Sequence, residues 1–320
     1  MRIANPIYDC VFKFLMQDKA AAKLIISAIT EFDVEEIELR PTELQIRAGS
    51  VKDLTVYRLD LAAKIKTDEG SRLVTIEIQK AKMVTDIMRF RRYLGSQYSS
   101  EENYEKVSEE SEKYQTKRAL PIFTIYILGH CLKTYPDIPV IKVKRSYYDN
   151  TTKEKLTKKD DFIESLTHDS AIIQVPALSN RRRDRLEKIL SIFDQAQVTK
   201  ETLHILSVND DADFSQEAKV LARRLQMAIE NDEVRQQMVI EDEILTELQE
   251  KDRYARHLEE TLQSERQLRE EEIQLKQEAL QKANQESCLK QEALQKADEE
   301  RRLKEQALIE LEKLKNKLSK

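Results

Sequence analysis

Two acids, Asp60 and Glu77, stand in a stretch that reads as a β-hairpin: YRLDLAAKIKTDEGSRLVTIEIQK over residues 57–80, with a turn signal at Asp68-Glu69-Gly70. Strand side chains alternate between faces. From Tyr57 to Ile65 one face carries Tyr57, Leu59, Leu61, Ala63 and Ile65, and the other Arg58, Asp60, Ala62 and Lys64. In the return strand Val74, Ile76 and Ile78 share one face, and Leu73, Thr75, Glu77 and Gln79 the other. Residues opposed across a hairpin share a face, so the apolar rows must align. Two registers do this with a short loop. One sets Asp60 opposite Glu77; the other sets Asp60 opposite Gln79 and Ala62 opposite Glu77. Either leaves the two carboxylates roughly 5 to 8 Å apart. Carboxylates that close repel unless a cation or a proton lies between them. A hard divalent ion such as magnesium takes one or two carboxylates, keeps several waters and lowers the pKa of a bound water. The alternative is an exposed sheet face on which Arg58 and Lys64 pair the acids.

The rest of the chain restricts the chemistry further. Only four glycines occur, Gly49, Gly70, Gly95 and Gly129, and no GxxxxGK[ST] or GxGxxG spacing exists, which excludes those two nucleotide-binding loops. Cys10, Cys131 and Cys288 form no CxxC pair, and His130, His168, His204 and His257 are scattered, so neither a zinc ribbon nor a disulfide framework is supported. The net charge of -5 carries no global basic signature, so any grip on nucleic acid has to be local. No apolar run reaches the length of a membrane span and the N-terminus lacks a signal-peptide core, so a reduced, soluble, cytoplasmic protein without membrane partners is expected.

The elements that must position the acids come from the first part of the chain. The last proline is Pro176, and from Ala177 to Lys320 neither helix breaker occurs in a stretch rich in strong helix formers. Composition therefore divides the chain into a mixed α and β domain over 1–180, a helical extension over 181–240 and a long charged helix over 241–320. In the first part, KAAAKLIISAI suggests a helix with Leu24, Ile25, Ala28 and Ile29 on one face. VEEIELRPTELQI reads as an edge strand broken at Pro41. VTDIMRFRRYLGSQY is helical, with Ile87, Phe90 and Leu94 spaced for burial. LPIFTIYILGHCL is a continuous apolar run suited to a central strand covered on both faces. IPVIKVKRSYY and SAIIQVPAL are further strands. In the tail, LKQEALQKA occurs at 275–283 and again at 289–297. Fourteen residues is two heptads, and one seam reads Leu275, Ala279, Lys282, Glu286, Leu289, Ala293, Lys296, Glu300, Leu303. A homo-oligomer through these helices is one expectation; a solvated single helix is the other.

Taken in order, DCVFKFL from Asp9, RLD over Arg58 to Asp60, IEIQ over Ile76 to Gln79, FRRYL over Phe90 to Leu94 and the strand LPIFTIYILG resemble the PD-(D/E)XK nuclease superfamily. More closely, they resemble its transposase-related Rpn/YhgA-like branch. The resemblance spans about residues 5 to 132. It implies an α/β (α+β) fold with a restriction-endonuclease-like core, a mixed sheet flanked by helices. It also implies a magnesium-dependent DNA endonuclease, with manganese as substitute, tied to DNA recombination, mobile elements or defence. Asp60 and Glu77 would be the metal ligands, with the Ile78 carbonyl as a third, and Asp9 would hold a second metal or an outer water. Asp60, Glu77 and Gln79 would form the catalytic set. Gln79 stands where the superfamily usually has lysine, which removes a cation from the site. Lys80 points to the other face, and Lys64 lies roughly 13 Å along the strand from Asp60. Arg89, Arg91 and Arg92 on the following helix are candidates for contacts to DNA phosphates. Arg181 to Arg183 and the lysines of 142–159 could extend that footprint. A catalytically inactive nuclease-fold protein that binds DNA or partners is the rival reading.

Overall fold

The computed structural model describes residues 1–40, 43–47, 54–58, 61–68, 70–80, 86–107, 116–208 and 214–318. Among these the elements are, in chain order, β1 (Arg2–Ala4), α1 (Asp9–Met16), α2 (Lys19–Thr30), β2 (Glu36–Arg40), β3 (Glu43–Arg47), β4 (Leu54–Arg58), β5 (Leu61–Thr67), β6 (Gly70–Gln79) and α3 (Asp86–Ser99). Then come β7 (Tyr104–Val107), β8 (Thr116–Ala119), β9 (Ile122–Leu128), β10 (Val140–Val143), β11 (Tyr147–Tyr148), β12 (Lys155–Leu156), α4 (Asp161–Leu166) and β13 (Asp169–Gln174). The chain closes with α5 (Arg185–Leu190), β14 (Ile205–Ser207), α6 (Gln216–Glu230) and α7 (Asp232–Leu318).

Six strands form the main sheet in the order β10-β13-β9-β6-β5-β2. β9 runs parallel to β6 and to β13, and the other three pairs are antiparallel, so the sheet is mixed. The continuous apolar run becomes β9, buried between two neighbours as its composition requires. β2 is the edge strand anticipated before Pro41, and Pro41 itself lies outside the described residues.

One face of the sheet holds the main core. Leu61, Ala63 and Ile65 of β5, Val74, Ile76 and Ile78 of β6, Phe123, Ile125 and Ile127 of β9 and Ala171 and Ile173 of β13 pack in one cluster with α1, α2, α5 and α6. On α2, Ile25, Ala28 and Ile29 are buried and Leu24 is partly so. Asp18 caps this helix by accepting from the backbone N–H groups of Ala20 and Ala21. The opposite face is covered by α3, where Tyr93 packs on Ala62, and Leu94 and Tyr98 pack on Leu73, Leu120 and Ile122.

Four expectations need correction. β4 and β5 are separate strands in different sheets, β4 pairing with β3 in a two-stranded ribbon, so no single strand runs from Tyr57 to Ile65. The register with Ala62 opposite Glu77 is not adopted, because Ala62 pairs with Thr75. On α3 the buried positions are Phe90 and Tyr93, while Ile87 is 61% exposed. The breaker-free stretch after Ala177 is not wholly helical, since β14 pairs antiparallel with β1.

The chain divides into two units, Met1–Glu250 and Lys251–Lys320. Residues 181–240, anticipated as a helical extension, contribute Ile189, Leu190, Leu221, Leu225, Val234 and Met238 to the core of the first unit. No helix among the described residues is long and apolar enough to cross a membrane.

Candidate active site

The candidate site lies at the C-terminal end of β6. This strand is central and buried from Arg72 to Ile78, with Val74, Ile76 and Ile78 on one face and the polar Thr75 and Glu77 on the other. Glu77 is only 3% exposed. It alternates with Ile76 and Ile78, which face the main core, and so shares the α3-covered face with Leu73 and Thr75. Across the parallel ladder its partner is Tyr126, whose ring stands 4.3 Å from that of Phe90 on α3. Burial pushes the Tyr126 hydroxyl up from its ordinary value, and the Glu77 carboxylate adds to this against a hydrogen bond with Thr124. Two residues before Glu77, the buried Thr75 hydroxyl has no hydrogen-bond partner among the described residues. Glu77 is thus buried on the α3-covered face of the sheet, beside Tyr126 of β9.

Asp60 lies outside the described residues. Its successor Leu61 pairs with Ile76, the residue that precedes Glu77. Gln79 is half-buried at the strand end, where its carbonyl accepts from the Gly129 N–H at 2.7 Å. A Cβ on Gly129 would overlap the Lys80 carbonyl, so this close approach demands glycine. Gly129 therefore pins the strand end that carries Glu77 and Gln79, a role that its place after an apolar run does not announce. Ile78 has its side chain in the main core, which leaves only its backbone to face a ligand.

Lys64 shares the sheet face of Glu77, but its ammonium pairs with Glu105 at 2.6 Å. Arg58 belongs to the β3–β4 ribbon. The surface pairing considered for these two cations and the acids therefore loses Lys64 to another partner.

Asp9 and Lys80 belong to a second polar cluster, on the side of α1. Lys80 pairs with Asp242 near the start of α7, and its ammonium lies 3.5 Å from the centroid of the Tyr8 ring. Asp242 also accepts from the Tyr8 hydroxyl at 3.0 Å and lies 2.8 Å from His204 Nε2. Burial works to raise the Asp242 carboxyl, but the bonds from Lys80, His204 and Tyr8 outweigh it and hold the group below its ordinary value. Glu241 accepts from the Asp9 and Cys10 backbone N–H groups at 3.0 and 2.8 Å. It thereby satisfies the open end of α1, where a negative charge is favoured. Burial nonetheless pushes Glu241 up against those bonds. Burial, and after it Glu241, pushes the Cys10 thiol up, away from the thiolate form that a nucleophile needs. The Asp9 carboxylate is held by Lys13 at 2.5 Å. α1 packs with Ile76 and Ile78 on the sheet face opposite the one that carries Glu77. The cluster was invisible in sequence: Tyr8 and Asp242 are 234 positions apart, Lys80 and Asp242 162.

Of the arginines on α3, Arg91 and Arg92 project from the exposed side of the helix, while the Arg89 side chain lies outside the described residues. Part of the wider basic stretch is engaged elsewhere. Lys142 and Lys144 pair with Glu31, Arg145 with Glu164 and Asp169, Arg183 with Glu187, and Arg182 lies over the Phe214 ring.

Among the described residues no three His, Cys, Asp or Glu side chains converge to hold a metal. Of the two acids singled out in the sequence, Glu77 lies among the described residues and Asp60 outside them. No family model matches the chain, and neither does any curated protein or solved structure.

Proposed function

We propose that this chain is a metal-dependent DNA endonuclease that hydrolyses phosphodiester bonds, with Asp60 and Glu77 as the ligands of a magnesium ion. The observation that supports the reading is the hairpin register. Of the two alignments open to the sequence, β5 and β6 follow the one in which Leu61 meets Ile76, next to Asp60 and Glu77. A buried acid with an unpartnered hydroxyl two residues away suits a hard cation that takes one or two carboxylates and keeps its waters. When bound, such an ion activates a water and stabilises charge on the phosphate. The parallel ladder to β9 fixes the backbone position of Glu77 opposite Tyr126. Gln79, on the same face, offers an amide donor without a charge. Arg91 and Arg92 would hold the DNA backbone from the adjacent helix. The resemblance to the Rpn/YhgA-like branch ties this activity to recombination, mobile elements or defence.

One observation favours the rival reading of an inactive nuclease-fold protein that binds DNA or partners. Lys80, the cation next to Gln79 in the chain, is engaged by Asp242 and Tyr8 rather than free for the site. The readings separate on cleavage of single- and double-stranded DNA with magnesium, with manganese and with chelator. Gln79→Lys restores a cation beside Glu77 and is expected to retain or raise cleavage. If wild type with either metal and Gln79→Lys all fail to cut, the binding reading replaces the enzyme.

A further inference from the structure

From residue 253 to 309 every side chain of α7 is exposed. Leu275, Leu289 and Leu303 are 67%, 64% and 65% exposed on one row of this helix. Between them the same residue types return every 14 positions: Leu275, Ala279, Lys282, Glu286, then Leu289, Ala293, Lys296, Glu300, then Leu303 and Ala307. In heptad terms Leu and Lys alternate at one seam position, and Ala and Glu alternate at the other.

This order distinguishes the two ways of pairing a helix with itself. In a parallel, in-register pair each seam position meets its own copy, so Lys282 meets Lys282, Glu286 meets Glu286, and the same holds at Lys296 and Glu300. Reversing one helix exchanges the two seam positions. With Gln291 at the midpoint, Leu275 then meets Ala307, Lys282 meets Glu300, Leu289 meets Ala293, Lys296 meets Glu286, and Leu303 meets Ala279. All five layers are complementary in charge or size. On the other leucine row, Leu280, Leu294 and Leu308, the positions midway between the leucines are Ser287 and Arg301, so the Leu and Lys alternation of the first seam is not repeated there. We propose that the tail is an interface for a second copy of this chain, paired antiparallel about Gln291. The charged layers weaken such a pair relative to an all-leucine seam, but they set its direction and register. The inference does not depend on the nuclease reading.

Cross-linking of the full chain tests it. In a Cys131→Ser, Cys288→Ser background, which leaves only the buried Cys10 of the native thiols, Lys282→Cys and Glu300→Cys are made as separate variants and treated with a mild oxidant, alone and mixed. Within one helix the two positions are about 27 Å apart, too far for an internal bridge. The antiparallel pair predicts a covalent dimer in the mixture and none with either variant alone. A mixture of Lys296→Cys and Glu286→Cys repeats the test at a second layer, in case one substitution weakens the pair. Dimers from single variants alone would mean a parallel pair, and no cross-link in either mixture would mean no pair at this seam. Either result overturns the proposal.

Discussion

At the scale of single residues, the acid the sequence singled out and the acid it missed play different parts. Glu77 was legible because strand alternation assigns it a face, and its burial fits a central strand. Asp242 was not legible: nothing in a solvated helical run marks one acid as the partner of Tyr8, Lys80 and His204. Its carboxyl is depressed in the fold from an ordinary 3.8. The unfolded chain therefore binds that proton more readily. The stability Asp242 contributes is present above about 3.8 and is lost as pH falls through the lower folded value. Asp242→Asn is expected to cost about 1–3 kcal/mol at neutral pH, toward the low end because the pair is partly solvated. Urea unfolding of both proteins should show the gap closing below about pH 4. A gap that stays constant through the acid range would mean that the carboxylate charge is not what holds the cluster.

At the scale of elements, β9 and β13 could be read from their apolar runs, and β2 from its broken, charged pattern. α3 buries Phe90 and packs Leu94 as their spacing predicts, but Ile87 is exposed and Tyr93 fills the place against Ala62. β14 was missed because three residues in a stretch of helix formers carry little signal until β1 is there to pair with them. The junction of β9 and β6 yields a test of how the site is held. Gly129→Ala forces a methyl into the Lys80 backbone, where no side chain can yield, and is expected to destabilise the fold by about 1–3 kcal/mol. Activity should fall further than stability explains, because the strand end carrying Glu77 and Gln79 must move. A variant with normal activity per folded molecule would show that Gly129 does not position the site. For α3, replacing Arg91 and Arg92 with Ala should weaken DNA binding irrespective of sequence. It should also flatten the dependence of log affinity on log salt by roughly 0.9 per lost phosphate contact. An unchanged slope would assign those arginines to solvation of the helix.

At the scale of the whole molecule, composition located the start of the breaker-free stretch but not the limit of the core. That limit depends on tertiary contacts: Val234 and Met238 are buried, Glu241 caps α1, and Asp242 anchors Lys80. Truncation after Glu250 is therefore expected to leave thermal stability of the first unit unchanged. Truncation after Ile240 removes the cap and the anchor together, and is expected to cost about 2–5 kcal/mol. Calorimetry of the two shortened chains would show this as a clear difference in melting temperature. Equal melting temperatures would mean that the root of α7 contributes only its apolar contacts.

The central claim is that Glu77 is a ligand of a catalytic metal. Its most direct test is nicking of supercoiled plasmid by wild type and by Glu77→Gln, purified identically and shown to be folded, with and without magnesium. Magnesium-dependent nicking by the wild type that disappears in Glu77→Gln is the predicted result. Equal nicking by both proteins would contradict the account.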